Sequence, residues 1–143
     1  MIATQTCVRS RSDQRVLRAQ RYWDHVRPDY RSILALYLSS RRRFRWATLE
    51  KNQIDLLLGT LRQRINNGAE LVTQLTPAEL DLIWREWRHY RGRAVFSYVA
   101  KRGPRKGRRV PITPGGVESA HRSALKRAGL RPATIQAFKR RLQ

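Results

Sequence analysis

The chain predicts an α+β fold, mainly α, in which helices surround a small three-stranded antiparallel sheet. Three features lead there. Apolar residues recur at helical spacing in five separate segments. Between the second and third of these, the pattern changes to short extended runs about Asn66-Asn67-Gly68. Two Thr-Pro pairs, Thr76-Pro77 and Thr113-Pro114, then mark helix starts, because threonine caps the first free amides and proline fits the first turn.

Residues 1–11 read as a flexible leader that holds the lone cysteine, Cys7, and residues 12–143 as a single domain. Ser12 is a candidate N-cap for a helix carrying Val16, Ala19 and Trp23. Pro28 interrupts, and Asp29 is the candidate cap of the next helix. Ile33 to Leu38 are apolar all round, which predicts a central buried helix running into Arg41-Arg42-Arg43. Ile54-Asp55-Leu56 forms a first short strand. Thr60–Ile65 and Leu71–Leu75 flank Asn66-Asn67-Gly68 as a hairpin, since both residues of an Asn-Gly pair tolerate positive φ. Thr76 and Glu79 have capping-box spacing, and Leu80, Ile83, Trp84 and Trp87 form the apolar stripe of the helix they open. Both tryptophans are therefore assigned to the core, as are Trp23 and Trp46. Ala94-Val95-Phe96 reads as a short extended segment. Val117, Ala120, Ala124, Leu125 and Ala128 line another helix with Gly129 as C-cap, and His121 on it is read as surface or partly buried. Pro132 opens a last short helix with Ile135 and Phe138 as its apolar residues. There is no tandem repeat and no Gly/Ser-rich linker.

The 143 residues are enough to bury a core, and 41% apolar content with four tryptophans and five tyrosines speaks against a disordered basic tail. The dominant property is charge: 31 Lys and Arg against 10 Asp and Glu, a formal +21. A domain so charged repels itself and is best tolerated beside a polyanion, with nucleic acid the first candidate. One cysteine excludes an internal disulfide or a thiolate metal cluster within the chain, and His25, His89 and His121 stand in no metal-ligand spacing, so neither metal nor cofactor is expected. No stretch approaches the ~20 apolar residues of a membrane span, and the N-terminus lacks the apolar core of a signal peptide. A cytoplasmic protein, nucleoid-associated or in a host cytoplasm, is the expectation.

Three basic clusters are candidate phosphate contacts. The run Lys101-Arg102-Gly103-Pro104-Arg105-Lys106-Gly107-Arg108-Arg109 is either a solvated link or a phosphate-binding loop, and its glycines and proline let the backbone approach closely. Arg41, Arg42 and Arg43 either complement a helix dipole, worth about 0.5 kcal/mol and needing one arginine, or face an anion. Lys139, Arg140 and Arg141 admit the same two readings. Tyr22, Tyr30, Tyr37, Tyr90 and Tyr98 are read as packing residues.

The order of short sequence words resembles the catalytic domain of tyrosine recombinases, the phage-integrase family. Ile33 to Arg43 resembles the buried helix that ends in Thr-Gly-x-Arg-Arg-Gly-Glu. Leu49, Ile54-Asp55-Leu56 and Gly59-Thr60-Leu61 resemble the passage into the sheet. Asn66-Asn67-Gly68 stands where the family has Lys-Thr-Gly, and Leu75-Thr76-Pro77 resembles its Pro-Leu-Thr-Pro helix start. Val95-Phe96, Arg108 to Thr113 and Val117 to Leu130 resemble the segments that lead to the His-x-x-Arg box.

The resemblance implies a scaffold built to surround one DNA phosphate. In the family, arginines and a lysine stabilise charge on phosphorus oxygens, a histidine and the lysine move protons, and a tyrosine attacks. Position by position, the first arginine falls on Arg42, with Arg41 as neighbour. The lysine falls on Asn66, which has no proton to give as an acid. The His-x-x-Arg pair falls on Gln136 and Lys139; glutamine is no general base, and lysine lacks the two-pronged grip of arginine. Gln143 comes before the position of the family's tyrosine. The resemblance therefore implies a remnant of phage or mobile-element origin that binds double-stranded DNA, or RNA, through these clusters without cutting it. Two other readings stay open: an interaction module such as a phage-encoded inhibitor of an acidic host protein, and a residual strand-transfer enzyme. A full-length integrase is a candidate protein partner.

Overall fold

The computed structural model describes residues 10–143; Cys7 and most of the expected leader lie outside them. The order is α1 (Arg11–His25), α2 (Arg31–Ser39), β1 (Ile54–Asp55), β2 (Thr60–Arg64), β3 (Glu70–Gln74), α3 (Pro77–Trp87), β4 (Ser97–Val99), β5 (Arg109–Pro111), α4 (Pro114–Arg127) and α5 (Ile135–Leu142). Strands β1, β2 and β3 form the three-stranded antiparallel sheet, with Ile54 opposite Leu61 and Leu61 opposite Thr73. The fold is α+β and mainly helical, as the sequence predicts.

Helix α2 is the centre of the molecule. Ile33, Leu34 and Leu36 are fully buried, and α3, α4 and α5 all pack on it. One core runs from α2 through Trp46, Leu61 and Ile83 to Phe96, Leu125 and Phe138. At roughly 1.5–3 kcal/mol per large apolar side chain removed from water, this burial is what opposes the mutual repulsion of the surface cations.

Several local expectations need correction. Ser10, not Ser12, caps α1, its side chain accepting from the Asp13 amide at 3.1 Å. Asp29 caps no helix; its carboxylate accepts from the Val99 amide at 3.0 Å and pairs with Arg109 at 3.5 Å. Thr134, not Pro132, caps α5. Of the Asn66-Asn67-Gly68 turn, only Gly68 has positive φ, +81°. Its amide bonds the Ile65 carbonyl at 2.9 Å, and the Ile65 amide bonds the Ala69 carbonyl at 2.9 Å. This is a type I turn followed by a glycine bulge, which leaves both asparagines in ordinary backbone. The extended segment Ala94-Val95-Phe96 leads into a second hairpin, β4–β5, in which Tyr98 faces Val110. Trp84 is 45% exposed rather than core, because the inner face of α3 is Glu79, Ile83 and Glu86. His121 is completely buried between Tyr22 and the Ala133 carbonyl.

Candidate nucleic-acid interface

Three elements converge on Ser40, the residue that caps the C-terminus of α2. Its backbone turns extended, and each of its oxygens is occupied. The hydroxyl donates to Glu79 Oε2 at 2.6 Å and accepts from the Arg42 amide at 3.1 Å. The carbonyl accepts from Lys139 Nζ on α5. Arg42 then folds back across the sheet. Its Nε and Nη2 meet the two Glu79 oxygens at 3.3 and 3.2 Å, Nη1 donates to Thr73 Oγ1 at 2.9 Å, and Nη2 to the Gln74 carbonyl at 2.9 Å. This two-pronged grip fixes the guanidinium plane.

Glu79 has two tasks. It closes the expected capping box of α3, accepting from the Thr76 amide at 2.8 Å while its own amide bonds Thr76 Oγ1 at 3.1 Å. It is also the buried counter-ion of Arg42. Burial alone would raise its carboxyl pKa. Hydrogen bonds from Arg42, Ser40 and the Thr76 amide outweigh that and hold it down to about 2.

Beside this junction lies a cavity of about 660 Å³. The chain leaving α2 supplies Arg41, Arg42, Arg43 and Arg45; α5 supplies Lys139 and Arg140; Tyr37, Phe44 and Gln136 complete the lining. Six cations and no carboxylate line it. Local sequence explains the α5 side. Thr134 accepts from the Ala137 amide at 3.1 Å and starts the helix, Ile135 and Phe138 turn inward, and Gln136, Lys139 and Arg140 share the opposite face at i, i+3 and i+4. Phe138 rests against Tyr22 with ring centroids 4.6 Å apart. Arg41, Arg43, Arg45 and Arg140 are exposed and, among the described residues, carry no ion pair. Such a concentration of like charge in a concavity attracts multivalent anions.

The structure brings together Arg41, Arg42, Arg43, Gln136, Lys139 and Arg140 of the candidate residues. Asn66 is not among them: it stands at the β2–β3 tip, five residues beyond Leu61, the partner of Thr73, and so roughly 16 Å along the strand. Lys101, Arg102, Arg105, Lys106 and Arg108 form the exposed β4–β5 loop. That loop is not a loose link. Gly107 N bonds the Ala100 carbonyl at 2.8 Å, Lys106 N that of Gly103 at 3.1 Å and Arg108 N that of Arg105 at 2.9 Å. Its base is tied through Asp29 to the start of α2, whereas Arg41 to Arg43 follow the end of that nine-residue helix, about 13 Å away. Arg109 is turned inward to Asp29 and to Ser97 Oγ at 3.2 Å. Arg141 leaves the cavity and bonds the Arg131 carbonyl at 3.3 Å.

Three lining residues, Tyr37, Phe44 and Arg45, were not singled out from the sequence as site residues. Arg45 extends the run of arginines through an exposed–buried alternation that Phe44 and Trp46 could have signalled. Tyr37, read as packing, is the single tyrosine of five at the cavity. Its hydroxyl accepts from the Ala47 amide at 3.2 Å, and burial pushes its pKa up against the pull of that amide and of Arg45. A phenol so placed is a poor nucleophile at neutral pH.

Among the described residues, no three metal-ligating side chains gather in one place, and no helix is long and apolar enough to cross a membrane.

No protein-family model and no curated protein matches the chain. Its fold has solved counterparts. A crystal structure of XerA recombinase superposes with a TM-score of 0.56 at 13% identity, over 97% of this chain and 49% of that one. The fold is recombinase-like. The chain spans about half the length of that recombinase.

Proposed function

We propose that this chain is a DNA-binding protein of phage or mobile-element origin that grips duplex phosphates without cutting the strand. The observation that carries the reading is the cavity where Arg41, Arg42, Arg43, Arg45, Lys139 and Arg140 meet with no carboxylate in the lining. Phosphate contacts dominate nucleic-acid affinity, and a recombinase-like fold is a natural carrier for them. The β4–β5 loop, whose base is tied to the opposite end of α2, adds a second set of exposed cations that a polyanion can engage.

Chemistry at the cavity supports holding rather than cleavage. Gln136 neither takes nor gives a proton near neutral pH. Tyr37 is committed to Ala47 and is hard to ionise. Arg42 is held by Glu79, which leaves it positioned and partly neutralised.

The test is binding of a labelled duplex across a salt series. With about six phosphates contacted, log affinity falls against log salt with a slope near −5. A flat response, or no binding at low salt, overturns the proposal. Incubation with a nicked suicide duplex is expected to leave no covalent adduct on a denaturing gel. An adduct would favour the strand-transfer reading. Equal affinity for duplex RNA would show that backbone charge alone is read.

A further inference from the structure

A second surface stands apart from the cationic cavity. Of eight large apolar side chains exposed among the described residues, five line two adjoining grooves: Leu56, Leu57, Leu58, Val72 and Trp84. The first groove, about 540 Å³, runs over Pro77 and Leu80 to Trp84. The second, about 580 Å³, lies among Leu58, Val72 and Trp87. They meet at Leu56. Leu57 is 98% exposed and Leu58 68%. Scattered exposed leucines need no explanation, but a contiguous cluster around concave walls marks an interaction surface.

The leucines are fixed in place. Asp55 Oδ1 accepts from the Leu57 and Leu58 amides at 2.9 and 3.0 Å, and the Gly59 amide closes the turn on the Asp55 carbonyl at 2.7 Å. Gln74 Nε2 donates to the Leu58 and Gly59 carbonyls at 3.1 and 3.0 Å. Gly59 has φ +67° with Leu80 and Gln74 against it, so the turn has no room to fold inward. Leu57 is thus presented in a preorganised form, which lowers the ordering cost of an encounter.

Charge selects the occupant. A second copy brings another +21 and is repelled. The two carboxylates of the grooves are already used, Asp55 by the turn and Asp81 by Arg85 at 2.9 Å. Arg62 lines the second groove, and Arg88 lies over the Trp84 ring at 5.0 Å; neither side chain has an ion-pair partner among the described residues. We propose that the double groove docks an acidic amphipathic segment of another polypeptide, its apolar side chains filling the grooves about Leu57 and its carboxylates meeting Arg62 and Arg88. Its lining shares no residue with the cationic cavity, so the proposal stands or falls independently of DNA binding.

The test uses the full chain and two labelled synthetic peptides of one Leu/Glu/Ala composition and about 16 residues, long enough to form a helix. One carries leucine at i, i+3, i+4 and i+7; the other is scrambled. Fluorescence anisotropy at one salt concentration is expected to show the striped peptide binding at least tenfold tighter, about 1.4 kcal/mol. Leu57→Ser with Leu58→Ser is expected to erase that preference, and Arg62→Gln with Arg88→Gln to weaken the striped peptide. Equal binding of the two peptides to the unmodified chain overturns the proposal and needs no variant. A preference that survives the serine pair also overturns it. So does sedimentation showing a dimer that the serine pair abolishes, since the occupant is then a second copy.

Discussion

Acid should unlock the Ser40 junction through one carboxyl group. Glu79 titrates at about 2 in the fold against an ordinary 4.5. The difference, at about 1.36 kcal/mol per pH unit, corresponds to about 3 kcal/mol of folding stability. The folded pKa is depressed, so this stabilisation is complete above about pH 4.5 and is lost as pH falls toward 2. For a domain with a total of about 5–15 kcal/mol, that is a large share from a single side chain. Other carboxylates also titrate in this window, so the comparison must be with Glu79→Gln, which keeps an oxygen for the Thr76 amide and removes the charge facing Arg42. Urea unfolding midpoints measured from pH 6 down to pH 2 should show the variant about 3 kcal/mol less stable at pH 6. The gap should close steadily as pH falls from 4.5 toward 2, because the parent's unfolded chain takes up the proton there before the folded carboxyl does. A gap that stays constant with pH, or is absent at pH 6, would refute the view that the Arg42 pair holds this junction.

Two glycines provide a contrast in backbone strain. Gly68→Ala places a methyl group in open space at φ +81°, and should cost only the conformational penalty, about 1 kcal/mol. Gly59→Ala at φ +67° also drives Cβ to 2.9 Å from Leu80 Cδ1 and Gln74 Nε2, and denaturant unfolding should show a clearly larger loss. A third prediction concerns the buried ring of His121. Burial holds its pKa below the usual 6.5, so the fold needs the neutral form and loses this contribution as pH drops below 6.5. An NMR titration should place its midpoint under 6.5. Tyr22→Phe removes the hydroxyl that bonds Nδ1 at 2.8 Å and should cost about 1–3 kcal/mol, the range for stranding a buried polar atom.

What the sequence made legible was local. The apolar girth of Ile33 to Leu38, the Thr76–Glu79 box and the turn at Gly68 each depend on residues a few positions apart, and each is present. What it concealed depended on distant partners. The α3 stripe assigned Trp84 to the core, yet the inner face of that helix carries two glutamates. Glu79 is buried because Ser40 and Arg42, both on the far side of the sheet in sequence, meet it. Polar residues with partners elsewhere in the chain invert a hydrophobicity pattern. His121 was misplaced for the same reason, since its partner Tyr22 lies 99 residues away. The β4–β5 ladder pairs only three residues on each strand across the basic loop, too short to leave an alternation.

The site was legible in part. Arg41, Arg42, Arg43, Lys139 and Arg140 were singled out as basic clusters, but their meeting at one cavity rests on Ser40, which no pattern marked. Asn66 was placed with them by the resemblance, yet it stands at the β2–β3 tip, outside the cavity lining. Arg109 was counted among the free cations and is instead spent on Asp29 and Ser97 inside the fold.

The central claim is that the cavity between the end of α2 and α5 holds nucleic-acid phosphates. Its most direct test neutralises three exposed lining cations, Arg41→Gln, Arg43→Gln and Arg140→Gln, and compares the salt dependence of duplex binding with that of the parent chain. Losing about 0.9 from the slope per phosphate contact, the triple variant should show a log–log slope shallower by close to three. An unchanged slope in that variant, with the dependence abolished instead by glutamines at Lys101, Arg102 and Arg105, would contradict the account.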